Sequence, residues 1–209
     1  MSDTLPRLML VSPRLDEAAA AAAFAAALAE VAEIEVAALL LRGGGLGDAD
    51  LSALTAPVIA AAQGRGIAVL LEDRPALVAE SGADGLHVTL AGKGSPLKDL
   101  RRRFGDSVIL GAGCGASRHL AMTAGEQGAD YIGFGSLDSD GRADPDIVAW
   151  WEAVMTPPQV AFGAESLDDA VALAAAGPDF LAVSPALWLA QGGPAAALRQ
   201  LLAALPGEA

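Results

Sequence analysis

The chain has 209 residues, 53% of them hydrophobic, which suffices for one sizeable core and suits one domain over residues 1–209. A formal net charge of −13, with only two lysines (Lys93 and Lys98), argues against nucleic acid and anionic membranes, which need a basic face. The single cysteine, Cys114, excludes an intramolecular disulfide framework and a multi-cysteine zinc site, and fits a reducing cytoplasm.

Short apolar runs alternate with longer helical patterns along the chain. The N-terminal residues lack the basic start and long apolar core of a signal peptide. RLMLVS (7–12) reads as a strand and 15–31 as an alanine-rich helix, too short and too closely flanked by Glu17, Glu30 and Glu33 to span a bilayer. EVAALLL (35–41) is a strand and 50–63 a helix; IAVLL (67–71) is a strand and 75–80 a helix. GLHV (85–88) precedes a helix at 95–104, and VILG (108–111) one at 117–127. YIGFG (131–135), QVAF (159–162) and FLAVS (180–184) precede helices at 145–155, 167–176 and 194–204. Near-continuous apolar strands indicate burial on both faces, as in parallel sheets, and their alternation with helices demands βαβ crossovers.

An internal echo supports this. SGADGLHV (81–88), QGADYIGFG (127–135) and AGPDFLAVS (176–184) each end a helix, place Gly where φ > 0 carries no Cβ strain, turn on Asp and begin a strand. The glycines, at 82, 128 and 177, lie about two βα units apart. Eight such units predict an α/β fold of the single (β/α)8 TIM-barrel type. An open doubly wound sheet is the alternative, weakened for dinucleotide binding because no G-x-G-x-x-G follows the first strand.

In a barrel the site lies at the C-terminal strand ends, here 42–47, 72–74, 87–92, 111–117, 135–142, 163–166 and 184–187. Arg42 beside Gly43-Gly44-Gly45 has the make-up of an anion grip, or of a rim salt bridge next to a flexible loop. Asp73-Arg74 reads either as a metal ligand with its orienter or as an ion pair that starts the third helix. His87 faces the mouth or is a satisfied hydrogen-bonding residue, and His119 reads as helix surface. Cys114, with no histidine at its own strand end to lower its pKa, reads as an inert barrel residue. Arg101-Arg102-Arg103 reads as a solvated helix face, and one of Trp150 and Trp151 as a candidate homodimer surface.

LLLRGGG (39–45), GIAVLLEDRPALVAESGADGLHV (66–88), SRHLAMTAGEQGADYIGFG (117–135), RADPDIVAWW (142–151) and PDFLAVSPALW (178–188) together resemble the thiamine phosphate synthase and thiazole tautomerase family. The resemblance implies a (β/α)8 barrel and a Mg²⁺-dependent reaction joining hydroxymethylpyrimidine pyrophosphate to thiazole phosphate with release of pyrophosphate. It places substrate contacts at Arg42, Glu72, His87, Gly163 and Ser184 and a metal ligand at Asp73, with no catalytic residue assigned. The chain departs from the family pattern at several strand ends. The Gln and Lys flanking Arg42 are missing, and Glu72 stands where the family has Asn. No carboxylate stands at the second metal position within 87–92, Gly113-Cys114-Gly115 replaces a Ser/Thr-Cys-His run, and the loop 136–141 lacks the family's Thr and Lys. Gly163-Ala164-Glu165 replaces Gly-Gly-Ile, and Pro185, with no N–H, replaces a serine. A leaving pyrophosphate needs cations, so these losses predict weak or absent synthase activity in a small-molecule-binding barrel of thiamine metabolism, or a repurposed ligand- or partner-binding barrel.

Overall fold

The structure, a computed structural model, describes residues 5–90, 95–138 and 141–205. Its eight parallel strands are β1 (Arg7–Leu15), β2 (Ala38–Gly43), β3 (Ala68–Glu72), β4 (Gly85–Thr89), β5 (Ile109–Gly113), β6 (Tyr131–Phe134), β7 (Gln159–Ala164) and β8 (Phe180–Val183). They close in sequence order into a barrel, as expected, with β8 pairing back to β1.

The period-two alternation of a strand sorts its apolar residues into two cores. Leu8, Leu10, Leu39, Leu41, Val69 and Leu71 pack outward against the helices. Met9, Val11, Leu40, Leu70, Val160 and Phe162 pack inward among themselves. Glycines take inward positions on β5 (Gly111 and Gly113) and on β6 (Gly133, two residues after the inward Tyr131). A Cβ on Gly111 would stand 1.9 Å from the Tyr131 ring, and one on Gly133 would stand 2.6 Å from Phe162. Glycine there is what lets two aromatic rings and His87 fill the barrel axis.

The surrounding helices are α1 (Ala18–Glu30), α2 (Asp48–Gln63), α3 (Pro75–Ser81), α4 (Leu97–Phe104), α5 (Arg118–Glu126), α6 (Pro145–Val154), α7 (Leu167–Ala174), α8 (Pro185–Trp188) and α9 (Pro194–Ala204). Several starts are legible in their caps. Ser117 accepts from Leu120 N–H, Asp144 from Asp146 N–H ahead of Pro145, and Ser166 from Asp169 N–H. No helix among the described residues is long and apolar enough to cross a membrane.

The internal echo has a specific mechanical basis. Asp84, Asp130 and Asp179 each stand just before an even-numbered strand, and each carboxylate accepts an N–H from the first or second residue of the preceding strand. The donors are Val69 at 2.8 Å, Leu110 at 2.7 Å and Gln159 at 2.8 Å. The glycine two residues earlier has positive φ in every case, +73°, +87° and +81° for Gly82, Gly128 and Gly177. Each repeat therefore ties a helix exit to the foot of two strands.

Five local readings need correction. β2 covers Ala38–Gly43, three residues later at its start and two at its end than the run EVAALLL. β1 runs to Leu15, through the position assigned to a helix start, because Ser12-Pro13 forms an irregularity at which the register to β2 shifts. β5 covers Ile109–Gly113, one residue later at its start and two at its end than the apolar run suggested. After β8 the chain makes the extra short helix α8, opened by Pro185. Arg101 is not part of a solvated face. Its guanidinium donates to the carbonyls of Gly128 and Gly105 and to Asp130, joining α4 to the foot of β6, while Arg102 is exposed. Of the tryptophan pair, Trp151 is buried with its indole N–H on Pro157 O, and Trp150 is half-buried under Arg118. His119 is exposed, as expected.

Candidate functional site

The C-terminal ends of the strands surround a cavity of about 610 Å³. Its lining includes Glu72, Asp73, His87, Cys114 and Phe162 from the strand ends, and Arg14, Arg74 and Asp138 from the rim. The lining thus contains three of the six positions assigned to binding, Glu72, Asp73 and His87. Arg42 lies behind the wall, and neither Gly163 nor Ser184 lines the cavity.

Arg42 is the penultimate residue of β2 and is 6% exposed. Every arm of its guanidinium is engaged. Nε donates to Glu72 Oε2 at 3.3 Å, Nη1 to the Leu137 carbonyl at 2.8 Å and Nη2 to Asp138 Oδ1 at 2.6 Å. Burial works to discharge this group, but the hydrogen bond to Asp138 and the field of Glu72 outweigh it and raise its pKa. Asp138 belongs to the loop after β6 and also accepts from Arg14 Nη2 at 3.1 Å. Its hydrogen bonds to Arg42 and Arg14 hold its carboxyl below the usual range. The Ser12 bulge contributes here, since Ser12 Oγ accepts the Arg42 N–H at 2.9 Å.

The glycine run after Arg42 is also filled. Asp16 Oδ1 accepts the Gly45 N–H at 2.9 Å, and a Cβ on Gly44 would stand 1.3 Å from that same oxygen. The space beside Gly44 and the N–H of Gly45 are therefore taken by a carboxylate of the chain. Arg74 donates to Asp48 at 3.0 Å and to the Gly44 carbonyl at 2.8 Å, so its ion pair is with Asp48 and not with the adjacent Asp73.

Asp73 is the one non-glycine residue at positive φ, +48°, among the described residues. The bend is fixed by two bonds to β4: Asp73 N–H donates to His87 O at 2.9 Å, and Asp73 Oδ1 accepts from Thr89 N–H at 2.9 Å. Among the described residues no group of three His, Cys, Asp or Glu side chains could hold a metal ion. A lone carboxylate with one oxygen already engaged does not by itself meet the six-oxygen demand of Mg²⁺. The rest of the fourth-strand loop, 91–94, and residues 139–140 of the sixth-strand loop lie outside the described residues.

His87 stands at the cavity floor, 1% exposed, with Nδ1 and the Tyr131 hydroxyl sharing a hydrogen bond of 2.7 Å. Burial, with help from the Arg42 charge, lowers its pKa to about 4, so the imidazole is neutral at pH 7 and serves as a hydrogen-bonding group. Burial pushes the Cys114 thiol up to about 12, which keeps it from acting as a thiolate nucleophile. Gly163 has φ +95°, and a Cβ there would lie 2.5 Å from the Arg142 Cα. Arg142 pairs with Asp169 on α7. Ser184 precedes α8, and its Oγ is buried with no hydrogen-bond partner.

The residues that sequence reasoning did not single out are Arg14, Asp16, Tyr131 and Asp138. Their contacts join positions far apart in the chain, 124 residues for Arg14 to Asp138 and 44 for His87 to Tyr131. The available signal was the excess of acidic residues in loops facing the barrel's arginines.

Residues 8–187 match the family profile of thiamine monophosphate synthase. The chain is 45% identical over 142 residues to a thiamine-phosphate synthase of Rhodospirillum centenum, covering 65% of this chain and 68% of that protein. It is 41% identical over 150 residues to that of Hyphomonas neptunium, covering 69% and 67%. Among solved structures, a thiamine phosphate pyrophosphorylase from Pyrococcus furiosus superposes with a TM-score of 0.77 at 20% identity over 98% of both chains. A 3-hexulose-6-phosphate synthase superposes at 0.72 with 19% identity, over 95% of this chain and 99% of that one, a likeness of fold.

Proposed function

We propose, for a chain that belongs to the thiamine monophosphate synthase family, that the barrel mouth is a small-molecule cavity of thiamine metabolism in which the synthase reaction is absent or very weak. One observation carries this reading. The arginines that line the mouth or stand just behind its wall are already held by carboxylates of the chain: Arg14 by Asp138, Arg74 by Asp48, and Arg42 by Glu72 and Asp138.

The family reaction expels pyrophosphate, so its transition state needs cations directed at the leaving oxygens. A guanidinium already paired offers less stabilisation there, because its partner must first be displaced into water. The Mg²⁺ that the family uses would supply charge neutralisation, yet Asp73 is the one carboxylate placed for it among the residues at the assigned metal positions that are described. What the chain's own groups can do is hold a small neutral or zwitterionic ligand. Phe162 and neutral His87 offer an aromatic floor, their rings edge to face, and Glu72 offers a carboxylate wall.

The test is an assay with hydroxymethylpyrimidine pyrophosphate, thiazole phosphate and Mg²⁺, run beside a relative of demonstrated activity. The opposite reading, an active synthase, draws on the 45% identity to the Rhodospirillum centenum protein. Turnover in the range of ordinary enzymes would establish it.

A further inference from the structure

We propose that Asp138 is an internal occupant of an anion site formed by Arg14 and Arg42, so that it decides whether the mouth accepts anionic ligands. The two arginines come from neighbouring strands, β1 and β2, whose register places Arg14 opposite Arg42. Their guanidinium groups converge on one carboxylate oxygen, Asp138 Oδ1, at 3.1 Å and 2.6 Å. Convergence of two planar cations on one oxygen is the geometry of a carboxylate or phosphate clamp.

The occupant is held differently from the clamp. Arg42 is fixed, with its side chain 7% exposed and braced by Glu72 and the Leu137 carbonyl. Asp138 is 60% exposed, sits on a loop and is attached to it by local bonds. The Ser136 N–H donates to the Gly141 carbonyl at 2.6 Å, and the Asp138 N–H donates to Ser136 Oγ at 3.1 Å. Removing the Asp138 charge therefore leaves a fixed Arg42, braced within the wall, with the half-exposed Arg14 on the adjacent strand free to turn onto an incoming anion.

A tethered carboxylate competes with a free anion at a high effective concentration, which for a short loop is on the order of millimolar. In the wild-type protein, external anions at micromolar concentration lose this competition. This rests on the reading of the mouth as closed to anions, but its measurement is a binding experiment that does not involve the synthase reaction.

The experiment titrates inorganic phosphate, without metal, into the wild-type chain and into Asp138→Asn, Asp106→Asn and Asp138→Asn/Arg14→Gln, by calorimetry. Asp106 is fully exposed and lies before β5, at the opposite end of the barrel, so its variant matches the charge change without touching the clamp. The expected result is a gain in affinity of at least about tenfold for Asp138→Asn, as for loss of a charge-assisted competitor. The gain should be absent in Asp106→Asn and abolished when Arg14 is also removed. Equal affinity in Asp138→Asn and wild type overturns the proposal, as does an equal gain in Asp106→Asn or a gain that survives loss of Arg14. Melting curves of each variant confirm that the protein titrated is folded. Synthase turnover in the wild type would sink the functional reading and leave this result standing or falling on its own.

Discussion

Replacing Arg42 by Leu removes a cation whose side chain is 7% exposed and leaves the carboxylate of Glu72, 12% exposed, in the barrel wall without its partner. Breaking a buried pair from one side costs about 3–5 kcal/mol, because the remaining charge stays desolvated. The Asp138 end adds little: that carboxylate is 60% exposed and retains Arg14. The Leu137 carbonyl also loses a donor, in a position that water at the mouth can replace. Replacing both residues, Arg42→Leu with Glu72→Leu, removes the stranded charge, and most of the loss should return, since apolar replacement of a buried pair is often neutral or stabilising. The assay is urea denaturation followed by tryptophan fluorescence, for which buried Trp151 and Trp188 report the packed state. A single-variant loss below about 1 kcal/mol would refute the reasoning, placing the pair among solvated ones. A double variant as unstable as the single would refute it too, because the cost would then lie in packing and not in charge.

Two further predictions test the site's framework. Gly135 has φ +87°, and a Cβ there would lie 2.7 Å from both Ala143 N and Phe162 O, so Gly135→Ala should cost about 1–3 kcal/mol from backbone strain alone. Gly45→Ala, with nothing within 4 Å, should stay within about 0.5 kcal/mol of wild type in the same melt; equal effects would mean that the turn after β6 relaxes freely. For His87 the folded pKa of about 4 lies below the unfolded value of 6.5, so the unfolded chain binds the proton first and stability falls with pH through that window. Between pH 7 and pH 5 the wild type should lose about 2 kcal/mol more than His87→Asn. Denaturation curves of equal slope against pH for the two proteins would show that this imidazole is solvated.

The barrel was legible because eight apolar runs, separated by helical patterns, leave few alternatives. The Gly-Ala-Asp echo was legible as a turn grammar, but its actual work, Asp84, Asp130 and Asp179 receiving an N–H at the foot of a neighbouring strand, needs the register of the closed sheet. β1 was misjudged because Ser12-Pro13 looks like a strand end, whereas it is an irregularity within one. In the site, His87 and Glu72 were found because the family's strand-end motifs fall on them, and their pairing across β3 and β4 is seen in the register. The triple glycine was read as an anion grip or a flexible loop, and one of its N–H groups, that of Gly45, is taken by a carboxylate of the chain. That residue, Asp16, lies 29 residues away and carries no local signature. Asp138 was visible as an acid in a shortened loop. Its placement against Arg14 and Arg42 depends on how far that loop reaches across the mouth, which composition does not encode.

A family barrel whose arginines at the mouth are neutralised by its own carboxylates is expected to expel pyrophosphate only slowly. Steady-state release of pyrophosphate from hydroxymethylpyrimidine pyrophosphate and thiazole phosphate, with saturating Mg²⁺, measures it directly. The prediction is turnover at least about a hundredfold below the usual enzymatic range of roughly 1–10³ per second. Turnover within that range by the wild-type chain would contradict the account.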